Sequence, residues 1–174
     1  MNRTVAREIA IQVSYSLSLN DMTVEDALES FFEKEHYASL AAEDELYTEF
    51  PDRKQLKFIQ ALVEGTAAHR SEFDSYIEKY SKGWKLGRIS RIAVTILRNA
   101  LFEVIYMDEV PDSVAINEAV ELSKGYEVPE TVSFINGILG SFMRGERGIE
   151  IQTDPEAGFT MVEAEEAPAP SEET

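Results

Sequence analysis

Residues Ile89–Tyr106 read ISRIAVTILRNALFEVIY, and the spacing of the apolar side chains in this stretch decides the fold. Ile89, Ile92, Ala93, Ile96, Leu97, Ala100, Leu101, Val104 and Ile105 occupy the i, i+3, i+4, i+7 series without a miss, and Ser90 stands ready as a helix start. A stripe that wide needs two or three neighbours to cover it. Each large side chain fully buried there contributes roughly 1.5–3 kcal/mol before ordering costs. The segment therefore predicts a central helix, and its other face carries Arg88, Arg91 and Arg98.

Toward the C-terminus, Asp108 to Pro111 is a short connector, and Asp112 or Ser113 caps a helix to about Tyr126 with Val114, Ala115, Ile116, Ala119 and Leu122 inside. Pro129 at a first helical position opens a last helix through about Arg144, with a stripe of Val132, Ile135, Ile138, Leu139, Phe142 and Met143. Phe134 points about 100° from the middle of that stripe, which makes it a partly exposed aromatic. Toward the N-terminus, Ser81 to Gly87 is a basic connector in which Gly83 and Gly87 stop a helix and Trp84 is an apolar anchor. Pro51-Asp52 opens a helical pattern running to Tyr80, interrupted near Ser71 to Phe73, and Tyr80 is expected to be exposed. Residues 37–50 lack a clear period and read as a loop with some helix. Thr23 caps a helix to about His36, and Arg3 to Leu19 form the first helix. Cations at Arg3 and Arg7 oppose the dipole of that first helix, so something other than helix stability accounts for them.

No period-two strand occurs between residues 1 and 144, and the connections are short. The expected architecture is a compact all-α bundle over 1–144. Beyond Gly145 the composition turns to Glu, Ala, Pro, Gly and Thr, so residues 145–174 read as an acidic, disordered tail.

A chain of 174 residues with 44% apolar content suits one domain with a proper core. It contains no cysteine, which excludes disulfides, thiolate metal sites and a cysteine nucleophile. No stretch approaches the ~18 consecutive apolar residues of a membrane span, and the expectation is a soluble, cytoplasmic protein with no membrane contact. The net charge of −17 argues at first against a polyanionic partner, but its distribution matters more than its sum. Residues 145–174 hold nine acids against Arg147 alone, whereas Lys79 to Arg98 hold six bases (Lys79, Lys82, Lys85, Arg88, Arg91, Arg98) and no acid. Such an island inside an acidic chain is a candidate polyanion contact.

Chemistry of other kinds finds no footing. No phosphate loop, dinucleotide glycine signature or nucleophile elbow is present. His36 and His69 have no carboxylate at metal-ligand spacing, and the acidic pairs lie on polar stretches, so neither a metal, a cofactor nor an enzyme is expected. Two readings remain. Cations at Arg3, Arg7 and the 79–98 island with flat rings at Tyr80 and Phe134 are what single-stranded RNA recognition requires, phosphates on the cations and bases on the rings. The same helical surface also serves as a protein-docking module.

The second half of the chain resembles the NusB family of transcription antitermination factors. The resemblance rests on Gly83-Trp84-Lys85-Leu86, on residues 96–103 (ILRNALFE), on Val110-Pro111 with residues 114–124 (VAINEAVELSK), and on residues 134–139 (FINGIL). With Ala6-Arg7-Glu8 and Gln12-Val13-Ser14-Tyr15 it spans about residues 2–144. It implies about seven helices in two halves and no catalysis. It further implies binding of boxA-like RNA in nascent ribosomal RNA leaders together with NusE, a ribosomal small-subunit protein, within an RNA polymerase antitermination complex. Carried over by position, Arg3, Arg7, Tyr80 and Phe134 face RNA, joined by Lys82, Lys85, Arg88 and Arg91 of the island. Tyr15 and the Leu97-Arg98 pair face the protein partner, and Ala93 stands where many relatives have an acid. A helical face of this kind can equally be a homodimer seam. The RNA-targeting domains of ribosomal RNA cytosine methyltransferases, and a protein-only scaffold, are the alternatives.

Overall fold

The computed structural model describes residues 1–82, 86–154 and 158–163. Among these residues the order is α1 (Arg3–Leu19), α2 (Val24–Phe31), α3 (Lys34–Ala41), α4 (Arg53–Ala68), α5 (Arg70–Tyr80), α6 (Arg91–Tyr106), α7 (Asp112–Ser123), α8 (Pro129–Arg147), β1 (Ile149–Asp154) and β2 (Gly158–Glu163). Short 3₁₀ turns occupy Glu45–Tyr47 and Leu86–Arg88.

Local chemistry sets the helix starts. The Asn2 side chain accepts from the Val5 amide, Thr23 from Asp26, and Ser90 from Ala93. Asp52 and Gln55 form a reciprocal capping box on α4, satisfying two otherwise unpaired donors at once. Pro129 supplies the first residue of α8, which ends at Gly148 in the left-handed region with φ 61°, where a β-carbon would be strained.

Helix α6 is the centre. Ala93, Ile96, Leu97, Ala100, Leu101 and Val104 are buried as the stripe predicts, and Val94, Thr95, Asn99 and Glu103 are buried as well. The helix packs against α1, α4, α5, α7 and α8. It therefore has little free surface, and the polar groups on it must find partners inside the protein. Helices α1 and α4 pack on each other and carry α2, while α5, α7 and α8 close the other side. Gly65 lets α4 approach α6, since a β-carbon there would come within 2.0 Å of the Phe102 ring.

Three differences from the sequence expectation have physical causes. The helix expected over Thr23 to His36 is two helices, because the Glu33 backbone is extended and its carboxylate accepts from the Glu35 and His36 amides to start α3. Residues 37–50, expected to be a loop with some helix, hold most of α3, the first 3₁₀ turn and a satellite core that was not expected. Phe31, Phe32, Tyr37, Tyr47 and Phe50 pack there edge to face or stacked, with ring centroids 4.9–6.3 Å apart. That core is built from rings brought together by a turn and shows no helical period. The break between α4 and α5 falls at His69, ahead of the expected interruption at Ser71 to Phe73.

The segment expected to be a disordered tail from Gly145 is structured in its described part. Helix α8 continues to Arg147, and β1 and β2 form an antiparallel hairpin in which Ile149 pairs with Glu163 and Asp154 with Gly158. The hairpin backbone packs on α8 and α7. The tail beyond residue 163 lies outside the described residues, as do Gly83, Trp84 and Lys85. No helix among the described residues is long and apolar enough to cross a membrane.

Candidate nucleic-acid interface

The expected cationic surface is only partly assembled. Arg3 is exposed on the first turn of α1, its guanidinium 4.1 Å from the Phe58 ring centroid. Arg7, one turn further, is a correction to the sequence reading. It is 5% exposed, and its Nε donates to Glu103 Oε1 on α6 at 2.8 Å, with Glu118 Oε2 of α7 4.0 Å from Nη1. A guanidinium held this way has no face left for a phosphate. The unfavourable dipole position is thus offset by a buried carboxylate 96 residues away, which no local pattern announces. Burial pushes the Glu103 carboxyl above its usual range, and Arg7 opposes that shift. Glu118 Oε2 and Asn99 Oδ1 are buried beside this pair without a hydrogen-bond partner among the described residues.

The island from Lys79 to Arg98 does not form one patch. Lys79 Nζ pairs with Glu146 at 2.7 Å, and Arg91 is exposed but donates to the Ser18 carbonyl at the end of α1, at 3.4 Å. Arg98 is 11% exposed by side chain and makes a two-pronged contact with Asp74 of α5, Nε at 2.7 Å and Nη2 at 3.0 Å. Lys82 and Arg88 are exposed, Lys82 with a positive φ of 42°, and no ion pair of either is seen among the described residues. Lys85 lies outside the described residues.

The two aromatics both border α8, Tyr80 from the end of α5 and Phe134 from α8 itself. Tyr80 ends α5 half-buried, with its ring against Phe142 and over Gly145 of α8, where a β-carbon would come within 2.3 Å of the phenol oxygen. Its hydroxyl donates to Glu146 Oε1 at 2.8 Å, and burial first, then that bond, raises its pKa. Phe134 is half-buried near the start of α8 and packs against the core. Gly145 follows Phe134 by eleven residues, so the two positions share a side of α8 within about 20° and stand about 16 Å apart. An extended strand could run between them.

A separate pocket of about 130 Å³ opens between α1, α4 and α6, with Ser14, Thr66, Thr95, Arg70 and Arg98 in its lining. Tyr15 stands half-buried on α1 beside Ser14, and Ala93 is fully buried. Arg98 thus belongs to the wall of a pocket rather than to an open surface, its charge already met by Asp74. Among the described residues no cluster of His, Asp and Glu could hold a metal ion.

The model of the NusB family matches residues 4–144 of this sequence. The chain belongs to the NusB family. Among its curated relatives, the transcription antitermination protein NusB of Acetivibrio thermocellus is 38% identical over 144 residues, covering 83% of this chain and 90% of that protein. That of Myxococcus xanthus is 40% identical over 137 residues, covering 79% and 91%. Among solved structures, NusB of T. maritima superposes with a TM-score of 0.68 at 26% identity, covering 83% of this chain and 92% of that one. The solution structure of NusB from Aquifex aeolicus shares the fold with a TM-score of 0.58. The all-α bundle is thus a NusB fold, while the end of α8 and the hairpin lie beyond the matched span.

The sequence does not signal Asp74, Glu103 or Glu146 as partners of Arg98, Arg7 and the Lys79–Tyr80 pair. Each lies on a different helix from its partner.

Proposed function

We propose that this chain is a transcription antitermination factor that binds boxA-like single-stranded RNA in nascent ribosomal RNA leaders together with NusE, and with it joins the RNA polymerase antitermination complex. The observation that carries the reading is membership of the NusB family over residues 4–144, with relatives named as transcription antitermination proteins. Charge alone does not carry it, because Arg7, Arg98 and Lys79 already hold carboxylates of the same molecule.

The RNA path in this proposal uses the cations seen in no ion pair among the described residues, together with two half-buried rings. Arg3, Lys82, Arg88 and Arg91 meet phosphates, while Tyr80 and Phe134 along α8 offer flat faces, worth ~1–3 kcal/mol for each stacked base. The protein partner covers the Tyr15 side of α1 and the pocket walled by Arg98. The role is binding and not catalysis, and it is exercised in the cytoplasm.

Fluorescence anisotropy with a short labelled leader RNA tests this, with and without NusE and at two salt concentrations. Expected are binding strengthened by NusE and an affinity that falls as salt rises, since phosphate neutralisation releases counterions. Absence of binding under both conditions, or binding indifferent to salt, refutes the reading and leaves a protein-only docking module.

A further inference from the structure

We propose that Lys79 and Tyr80 form a phosphate subsite on the RNA path and that Glu146 is its resident competitor, a carboxylate the incoming strand must displace. The inference rests on the RNA reading above and adds a residue that lies outside the family-matched span.

The geometry is that of an occupied anion site. Lys79 Nζ and Tyr80 Oη converge on one oxygen, Glu146 Oε1, at 2.7 and 2.8 Å. A cationic and a hydroxyl donor meeting on a single anionic oxygen is how a phosphate oxygen is held as well. The site is also pre-formed. Tyr80 lies on Gly145, where any larger residue would push the phenol away, and meets the edge of Phe142 with centroids 6.2 Å apart, so its hydroxyl is aimed before a ligand arrives. Lys79 lies 5.2 Å from the centre of the Tyr80 ring.

The occupant is ionised and removable. The bonds from Lys79 and Tyr80 hold the Glu146 carboxyl below its usual range, so it stays charged wherever RNA is bound at neutral pH. The Lys79 side chain is 59% exposed and that of Glu146 27%, and pairs so open to solvent are weak enough for a polyanion to exchange with them. A strand entering the subsite trades one anion for another, gaining less than it would from an unpaired lysine, and it leaves Glu146 close to its own phosphates.

The test uses the full chain with NusE and the labelled leader RNA, comparing Glu146→Gln, Lys79→Met, the double variant, and Glu29→Gln as a charge-matched change on α2. Glu146→Gln is expected to bind up to about fivefold more tightly at low salt, with a plot of log affinity against log salt steeper by about 0.7. The gain should vanish in the Lys79→Met background and be absent in Glu29→Gln. RNA binding that Glu146→Gln leaves unchanged or weakens, a gain that survives without Lys79, or an equal gain in Glu29→Gln overturns the inference while sparing the RNA reading. No RNA binding by any variant removes both.

Discussion

Replacing Arg7 by methionine separates the two roles this residue could have. The residue is 5% exposed and its partner Glu103 is 3% exposed, with 2.8 Å between the bonded atoms. Removing one partner of a buried pair strands the other charge in a low-dielectric interior, at a cost of about 3–5 kcal/mol. For a chain of this size each kcal/mol shifts Tm by about 2–4 °C, so a fall of roughly 6–20 °C is expected. Urea unfolding followed by circular dichroism should show the midpoint falling with an unchanged slope. The pH dependence has a definite sign. Burial raises the folded-state pKa of Glu103 above its ordinary 4.5, so the stability linked to its protonation is complete below that value and lost as pH rises through the folded pKa. Arg7 restrains the rise, and without it the folded pKa climbs further. The stability deficit of the variant should therefore shrink as pH is lowered. A second substitution, Glu103→Leu, should restore much of the stability, because apolar side chains of similar volume replace buried pairs well. A deficit below about 1 kcal/mol, the range of an exposed pair, or lost RNA affinity at unchanged stability would show that Arg7 faces solvent and the strand.

Arg3→Ala should behave oppositely, reducing RNA affinity in anisotropy titrations while leaving Tm within about 1–2 °C, since exposed substitutions cost about 0.5 kcal/mol or less. Phe134→Ala should weaken RNA binding by ~1–3 kcal/mol while the folded circular dichroism spectrum persists; unchanged affinity would reduce this ring to packing. Gly65→Ala drives a methyl into Phe102 and should destabilise by about 1–3 kcal/mol in urea titrations. Tyr126→Phe deletes a hydroxyl that donates to Glu8 and accepts from Gln12, so loss of a bond to a charged group predicts a cost of ~1.5–3 kcal/mol by the same method.

Helix α6 was readable because its burial is so complete that spacing alone reveals it, and the caps at Thr23, Asp52 and Ser90 announce themselves within three residues of the amides they serve. Tyr37 and Tyr47 are buried by rings from neighbouring turns, which leaves no period to detect. The candidate site was legible as residue types and not as a surface. Tyr80, packed from α5 onto Gly145, borders the side of α8 that carries Phe134, whereas Arg7 and Arg98 are drawn inward by acids on other helices. A count of positive charge along the chain cannot distinguish a cation awaiting a ligand from one already paired.

The placement of α6 also bears on how the protein can be taken apart. Because this helix is bordered by α1 and α4 as well as by α5, α7 and α8, a cut between α5 and α6 leaves two fragments that each present a raw apolar wall. Neither piece should be recoverable as a soluble half-protein. Amide protons along α6 should be the last to exchange with deuterated solvent, opening only when the whole bundle does.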